Sequence, residues 1–235
     1  MTRSTSTPGA VCMPAQEFMP TLATQALVSL MQAAPKGTVF LPNVAGCTLA
    51  RKRNQLVAEF LEHRELQWLL FVDSDMTPPG DTIARLLAWD VDVVGALYFT
   101  KHSFTTCARL EQATDLGEAD PLKRAEEIGT GCLMVRRRVF TDLVPSPWFE
   151  IEGFDREGGN EDGVFSKKLR DAGVPIHCDT GLVAGHLTMT PVDLNHIIER
   201  CYLRAHALLD PELAKDFKEG IRQDILQRVW GKSVE

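Results

Sequence analysis

Apolar and polar positions fall along the chain in blocks that switch between strand length and helical spacing. A short apolar run from Gly9 to Pro14 predicts a first strand. Leu22, Ala26, Leu30 and Met31 then recur at helical spacing, and Pro35 with Gly37 closes that helix. Thr38–Leu41 reads as a second strand. Cys47–Leu61 reads as an amphipathic helix with Leu49, Leu56, Val57, Phe60 and Leu61 on its inner side. Trp68–Val72 (WLLFV) is a nearly unbroken apolar run, as expected of a strand buried on both faces. After the Pro78-Pro79-Gly80 break, Asp81 is placed to cap a helix running through Leu87, and Val91–Leu97 is another buried strand. Strand and helix thus alternate three times, which argues for an α/β sheet with largely parallel strands.

Beyond Lys101 the periodicity fades as far as Glu127, and Thr114–Pro121 is polar enough for a mobile loop. Cys132–Val135 returns as a strand between Gly131 and the basic run Arg136-Arg137-Arg138. Glu161–Ala172 is helical and stops at Gly173, and Pro175–Cys178 is a further strand. Pro191–Leu209 and Pro211–Val229 read as two helices. The expected organisation is a disordered Ser/Thr/Pro-rich leader over residues 1–9, a catalytic domain over 10–190 and a helical C-terminal extension over 191–235.

Composition narrows the class. With 235 residues, 44% hydrophobic and 24% charged, the chain can bury a sizeable core, and collagen-like or wholly disordered readings fall away. No apolar run approaches the ~20 residues of a membrane span, and the polar N-terminus lacks the apolar stretch of a signal peptide. The six cysteines stand singly, without a CxxC pair, which suits free thiols in a reducing compartment; a cytoplasmic protein is expected. A net charge of −7 gives no general attraction to nucleic acid or anionic membrane, leaving only local basic patches for that purpose.

The chemistry concentrates where WLLFV ends, in Asp73-Ser74-Asp75. A doubly buried strand cannot hold an unpaired carboxylate, so Asp73 marks its exit from the core, and ligands of open α/β sheets bind at such carboxyl ends. In an extended segment Asp73 and Asp75 project the same way, and two convergent carboxylates call for a cation. Oxygen ligands with room for phosphate suit Mg²⁺ or Mn²⁺. A solvated turn is the plain alternative. An EF-hand loop is excluded by Pro78 at its sixth position. A haloacid-dehalogenase-type phosphatase also starts from a hydrophobic strand and DxDxT, with Asp73 as nucleophile and Asp75 as general acid; Asp179-Thr180-Gly181 completes that pattern only in part.

Three other segments add candidates. Arg51, Arg53 and Asn54 open a helix, where cationic groups and free N–H donors can hold phosphates; taken alone, the basic run reads first as a solvated face. Gly129 and Gly131 flank Thr130 before a strand, permitting either a close ligand approach or a simple turn. Glu161 and Asp162 start a helix, where they serve as caps or as a general base, and His186 is a metal ligand or a structural histidine.

Together FVDSDM, ALYFTK, GTGCLMVRRRVF, GGNEDGVFSKKLRDAG and the terminal GHL resemble small GT-A-fold glycosyltransferases of bacterial or phage type, close to glycosyltransferase family 2, from Val11 to His186. The resemblance implies a Rossmann-like mixed sheet flanked by helices and transfer from a nucleotide sugar, commonly UDP-linked, with inversion. It implies that Asp73, Asp75 and His186 bind Mn²⁺ or Mg²⁺. Asp162 would be the catalytic base, and Glu161 would contact the acceptor. It places Pro14, Ala15, Gln16, Arg51, Arg53, Asn54, Asp73, Ser74, Lys101 and Gly131 around the donor. The acceptor classes it leaves open are a saccharide, a small molecule or a hydroxymethylated base in DNA, the last served by Lys101, Arg136–Arg138, Lys167 and Lys168 as a phosphate track.

Overall fold

Trp68 sets the frame. Its indole donates to the Thr7 carbonyl (2.9 Å), and its ring lies so close to Gly9 that a Cβ there would overlap it. The computed structural model describes residues 7–15, 18–101, 105–112, 120–151 and 161–188. Thr7–Gly9 therefore belong to the fold rather than to a leader, with the Gln67 amide donating to the Pro8 carbonyl.

In chain order the elements begin β1 (Ala10–Pro14), α1 (Thr21–Ala33), β2 (Val39–Asn43), α2 (Leu49–Glu62) and β3 (Trp68–Val72). Then come β4 (Met76–Thr77), α3 (Thr82–Ala88), β5 (Val93–Leu97), β6 (Ala108–Leu110), β7 (Leu122–Ile128) and β8 (Cys132–Arg136). A short π-helical turn, Val139–Leu143, leads towards α4 (Glu161–Asp171), β9 (Ile176–Val183) and β10 (Gly185–His186). The unit containing them ends at Leu187. The two helices expected beyond Pro191 lie outside the described residues, as do Gln16 and most of the Thr114–Pro121 loop.

The main sheet has eight strands in the order β2-β1-β3-β8-β5-β9-β7-β6, and β10 pairs with β4 in a separate two-stranded ribbon. Strands β1/β2, β1/β3 and β5/β9 pair in parallel, whereas β3/β8, β5/β8, β7/β9 and β6/β7 are antiparallel. The sheet is thus mixed, not largely parallel. An apolar run reports burial but not direction, and β8 enters between β3 and β5 against both. Strands β6 and β7 were hidden in the stretch without periodicity, because the edge strand β6 and its neighbour β7 carry charges such as Arg109, Lys123, Arg124 and Glu127 on a wet face.

β3 is fully buried. Leu69 and Phe71 join a core with Leu56, Phe60, Phe140, Phe149 and Phe165, while Trp68, Leu70 and Val72 join another with Met13, Leu86 and Met134. At about 1.5–3 kcal/mol for each large apolar side chain, these two layers supply the main driving force for the sheet. On α2 the inner face differs from the expected one: Leu49 is exposed, and Arg53 is buried with Leu56, Val57 and Phe60. Asp81 does precede α3, but its side chain makes no capping bond.

Candidate active site

Leaving β3, the chain turns at once. The Met76 amide donates to the Asp73 carbonyl (3.0 Å), so residues 73–76 form a tight turn and not an extended segment. The two carboxylates consequently take different partners, although Asp73, Ser74 and Asp75 all line one cleft of about 260 Å³ with Pro14, Cys47, Leu49 and Lys52. The Asp73 amide donates to the Gly131 carbonyl (3.0 Å), which ties this exit to the entry of β8.

Asp73 faces Arg53. Nη2 of Arg53 donates to both Asp73 oxygens (3.2 and 3.3 Å), and its Nη1 donates to Asp162 Oδ1 (3.0 Å) and to Glu161. One guanidinium, only 1% exposed, thus serves three carboxylates from β3 and α4. Burial disfavours its charge, but Asp73, Asp162 and Glu161 outweigh that and raise its pKa. Burial lifts the Asp73 carboxyl above its ordinary value, against the pull of Arg53 and with the help of Asp162 and Asp75. Asp162 also accepts from the hydroxyl of Thr130, which is fully buried.

Asp75 faces Lys101 and His186. The Lys101 ammonium donates to Asp75 Oδ2, and His186 Nε2 lies 3.6 Å from Asp75 Oδ1. Burial acts against the Asp75 charge, yet the hydrogen bonds of His186 and Lys101 dominate and bring its pKa down to about 2. His186 is raised in turn, chiefly by Asp75. The ribbon of β10 and β4 makes this meeting possible: His186 pairs with Met76, and the Leu187 amide donates to the Asp75 carbonyl (2.8 Å). His186 Nδ1 lies 3.0 Å from the Phe99 carbonyl, and Tyr98 packs edge-on against the imidazole.

Among the described residues, no three or more His, Cys, Asp or Glu side chains are gathered as a metal cluster. Asp75 and His186 nevertheless fit a hard or borderline divalent ion. They bring one oxygen and one nitrogen donor together, and a carbonyl on the far ring nitrogen turns Nε2 to the acid. The excess of negative charge around Arg53 adds to the attraction for a cation.

The remaining expected residues divide. Pro14 and Ser74 line the cleft, and the Ala15 carbonyl accepts from Lys52 Nζ (2.6 Å). Arg51 is exposed on the first turn of α2. Asn54 does not face the cleft: its amide bonds the Phe149 carbonyl (2.7 Å) and the Trp148 and Phe149 amides (3.0 and 3.1 Å). Gly129 and Gly131 make room for Tyr98, whose hydroxyl accepts from the Gly131 amide (3.1 Å) and would overlap a Cβ at Gly129.

The basic run is taken up internally. Arg136 pairs with Asp90, Arg138 with Asp92, and Arg137 caps α2 by donating to the Leu61 and His63 carbonyls (2.7 and 2.9 Å). Lys167 and Lys168 pair with Asp171 and Glu150. Sequence reasoning missed Lys52, Tyr98 and Phe149 as site components, and it gave Thr130 no role beyond its flanking glycines. Burial pushes the Cys107 and Cys132 thiols up to about 12, so neither offers a nucleophile.

No protein-family model matches the chain, and no curated protein matches it in sequence. Among solved structures, A197 from STIV is similar with a TM-score of 0.60 and 16% identity, over 77% of this chain and 86% of that one. GalNAc-T7, solved with UDP, GalNAc and Mn²⁺, is similar with a TM-score of 0.54 and 12% identity, over 95% of this chain and 56% of that one. At such identities the likeness is one of fold, and the fold is an α/β mixed sheet with flanking helices similar to that of GT-A glycosyltransferases.

Proposed function

We propose that this chain is a metal-dependent glycosyltransferase that moves a sugar from a UDP-linked donor to an acceptor hydroxyl with inversion. The observation that carries the reading is the convergence of Asp73, Glu161 and Asp162 on Arg53, beside the Asp75–His186 pair, at the carboxyl end of β3. The fold it shares with GalNAc-T7, whose structure contains UDP and Mn²⁺, supports the choice of donor and ion.

Asp75 and His186 would hold Mn²⁺ or Mg²⁺, which when bound neutralises charge on the leaving diphosphate. The cleft lined by Pro14, Ser74 and Lys52 takes the nucleotide, and Lys101 adds a cationic group beside Asp75. The acceptor oxygen bonds to the anomeric carbon as the bond from that carbon to the diphosphate oxygen breaks, and the electron pair leaves with the nucleoside diphosphate. Asp162, oriented by Arg53 and Thr130, receives the acceptor proton, and Glu161 stands next to it on the acceptor side.

Two observations count against the phosphatase alternative. Arg53 engages the Asp73 carboxylate, blunting it as a nucleophile, and a pKa of about 2 leaves Asp75 without the proton a general acid needs at neutral pH. A saccharide or small-molecule acceptor is favoured over DNA, because the net charge is −7 and Arg136, Arg138, Lys167 and Lys168 are paired with acids.

The test is mass spectrometry of reactions offering a panel of nucleotide sugars and acceptors with Mn²⁺. The expected product carries one added sugar, and Asp162→Asn abolishes it. Metal-dependent turnover that survives both Asp73→Ala and Asp75→Ala would refute the assignment.

A further inference from the structure

We infer that Arg53 is a positioning residue that holds the acceptor-side acids of α4 in register with Asp73 at the end of β3. What these acids do rests on the glycosyltransferase reading; their mutual placement does not. Arg53 offers a planar fork whose two terminal nitrogens point to different elements, Nη2 to Asp73 and Nη1 to Asp162 and Glu161. Nothing else in the described structure bridges these acids by a direct side-chain bond.

The fork is itself fixed. Phe149 lies 5.9 Å under the guanidinium carbon, packs edge-on against Phe71 of β3 (5.4 Å) and is tilted against Phe165 of α4 (4.5 Å). The neighbouring Asn54 clamps the backbone of Trp148 and Phe149 with three hydrogen bonds, two of them to Phe149. Consecutive residues of α2 thus do complementary work: Asn54 secures the floor, and Arg53 spans the acids above it. An arginine serving only as a phosphate contact would keep donor groups open towards solvent. Here both terminal nitrogens are taken by carboxylates, and the side chain is 1% exposed.

The experiment compares Arg53→Met and Arg53→Lys with the native chain, using UDP–Mn²⁺ affinity by calorimetry and steady-state transfer kinetics. Register loss predicts that Arg53→Met lowers kcat by about 100-fold or more while the UDP–Mn²⁺ Kd moves less than about threefold. Free guanidinium is expected to restore part of kcat, and Arg53→Lys is expected to recover little because an ammonium cannot fork. Equal losses in affinity and kcat would overturn the proposal, since Arg53 would then be a donor ligand. A lower Tm with kcat retained would overturn it too, leaving a purely structural role.

If Arg53→Met does not fold, Phe149→Leu removes the floor while keeping every charge, and the same kcat-selective loss is expected; an unchanged kcat refutes the inference. A reaction-independent arm is a urea-unfolding cycle of Asp73→Asn with Asp162→Asn. Acids sharing one fork predict that the double variant departs from the product of the single effects by about fivefold or more in the folding constant. Strict multiplicativity refutes the shared fork. Absence of any sugar transfer alongside an intact coupling refutes the function and leaves the placement standing.

Discussion

At the scale of single residues, charge burial decides the behaviour of this protein. Asp179 is fully buried and accepts from Arg85 Nε and Nη2 (2.7 and 2.8 Å), Trp89 Nε1 (2.8 Å) and the Gly181 amide (3.0 Å). Burial opposes its charge, but the bonds from Arg85 and Trp89 prevail and hold the carboxyl below its ordinary value. A carboxyl depressed on folding contributes stability above the unfolded value of about 3.9 and loses it as pH falls below that. Urea unfolding should therefore show Asp179→Asn less stable by about 2 kcal/mol at pH 7, with the gap closing towards pH 2. At Asp75, replacement by Asn should weaken Mn²⁺ binding, followed by paramagnetic resonance, by about 100-fold. The two aspartates after WLLFV were legible in the sequence because a carboxylate at the end of an apolar run has nowhere else to go. The burial of Arg53 was not, since an arginine on an amphipathic helix reads as surface until its acids, far downstream in the chain, are brought alongside.

Elements decide which groups meet. The ribbon of β4 and β10 carries His186 to Asp75, and at its other position Gly185 faces Thr77 so closely that a Cβ would overlap the threonine hydroxyl. Gly185→Ala should force the ribbon apart, costing about 1–3 kcal/mol in urea unfolding and weakening Mn²⁺ binding without altering either ligand. A variant with full Mn²⁺ affinity would show that the ribbon is not what seats His186. β3, α2, β5 and α4 were readable from apolar periodicity, for each buries a continuous stripe or both faces. The separation of Asp73 from Asp75 was not readable, because it depends on a turn closed by the Met76 amide where an extended run was expected. β6 and β7 stayed hidden for the opposite reason, their charged outer face masking the alternation.

At the scale of the whole molecule, acids held together by one guanidinium and one imidazole amount to a preorganised negative cleft. Ligands that bind only the folded state raise stability by mass action, by about 2.7 kcal/mol at one hundred times Kd. UDP with Mn²⁺ should therefore raise Tm by roughly 5–10 °C in a domain of this size, and a chelator should remove that shift. No shift with any nucleoside diphosphate would count against the donor site. Among the described residues no helix is long and apolar enough to cross a membrane, and the five cysteines there are free. The α/β class could be read from the alternation of strand and helix, whereas the antiparallel insertion of β8 could not, as pattern is blind to direction.

The β10 strand of the ribbon, which carries His186, follows every strand of the main sheet in the chain. A ribosome must release all eight before the imidazole can reach Asp75, so a nascent chain lacks the Asp75–His186 pair until β9 is complete. The pair then forms in one late step during synthesis and does not build up as the polypeptide lengthens.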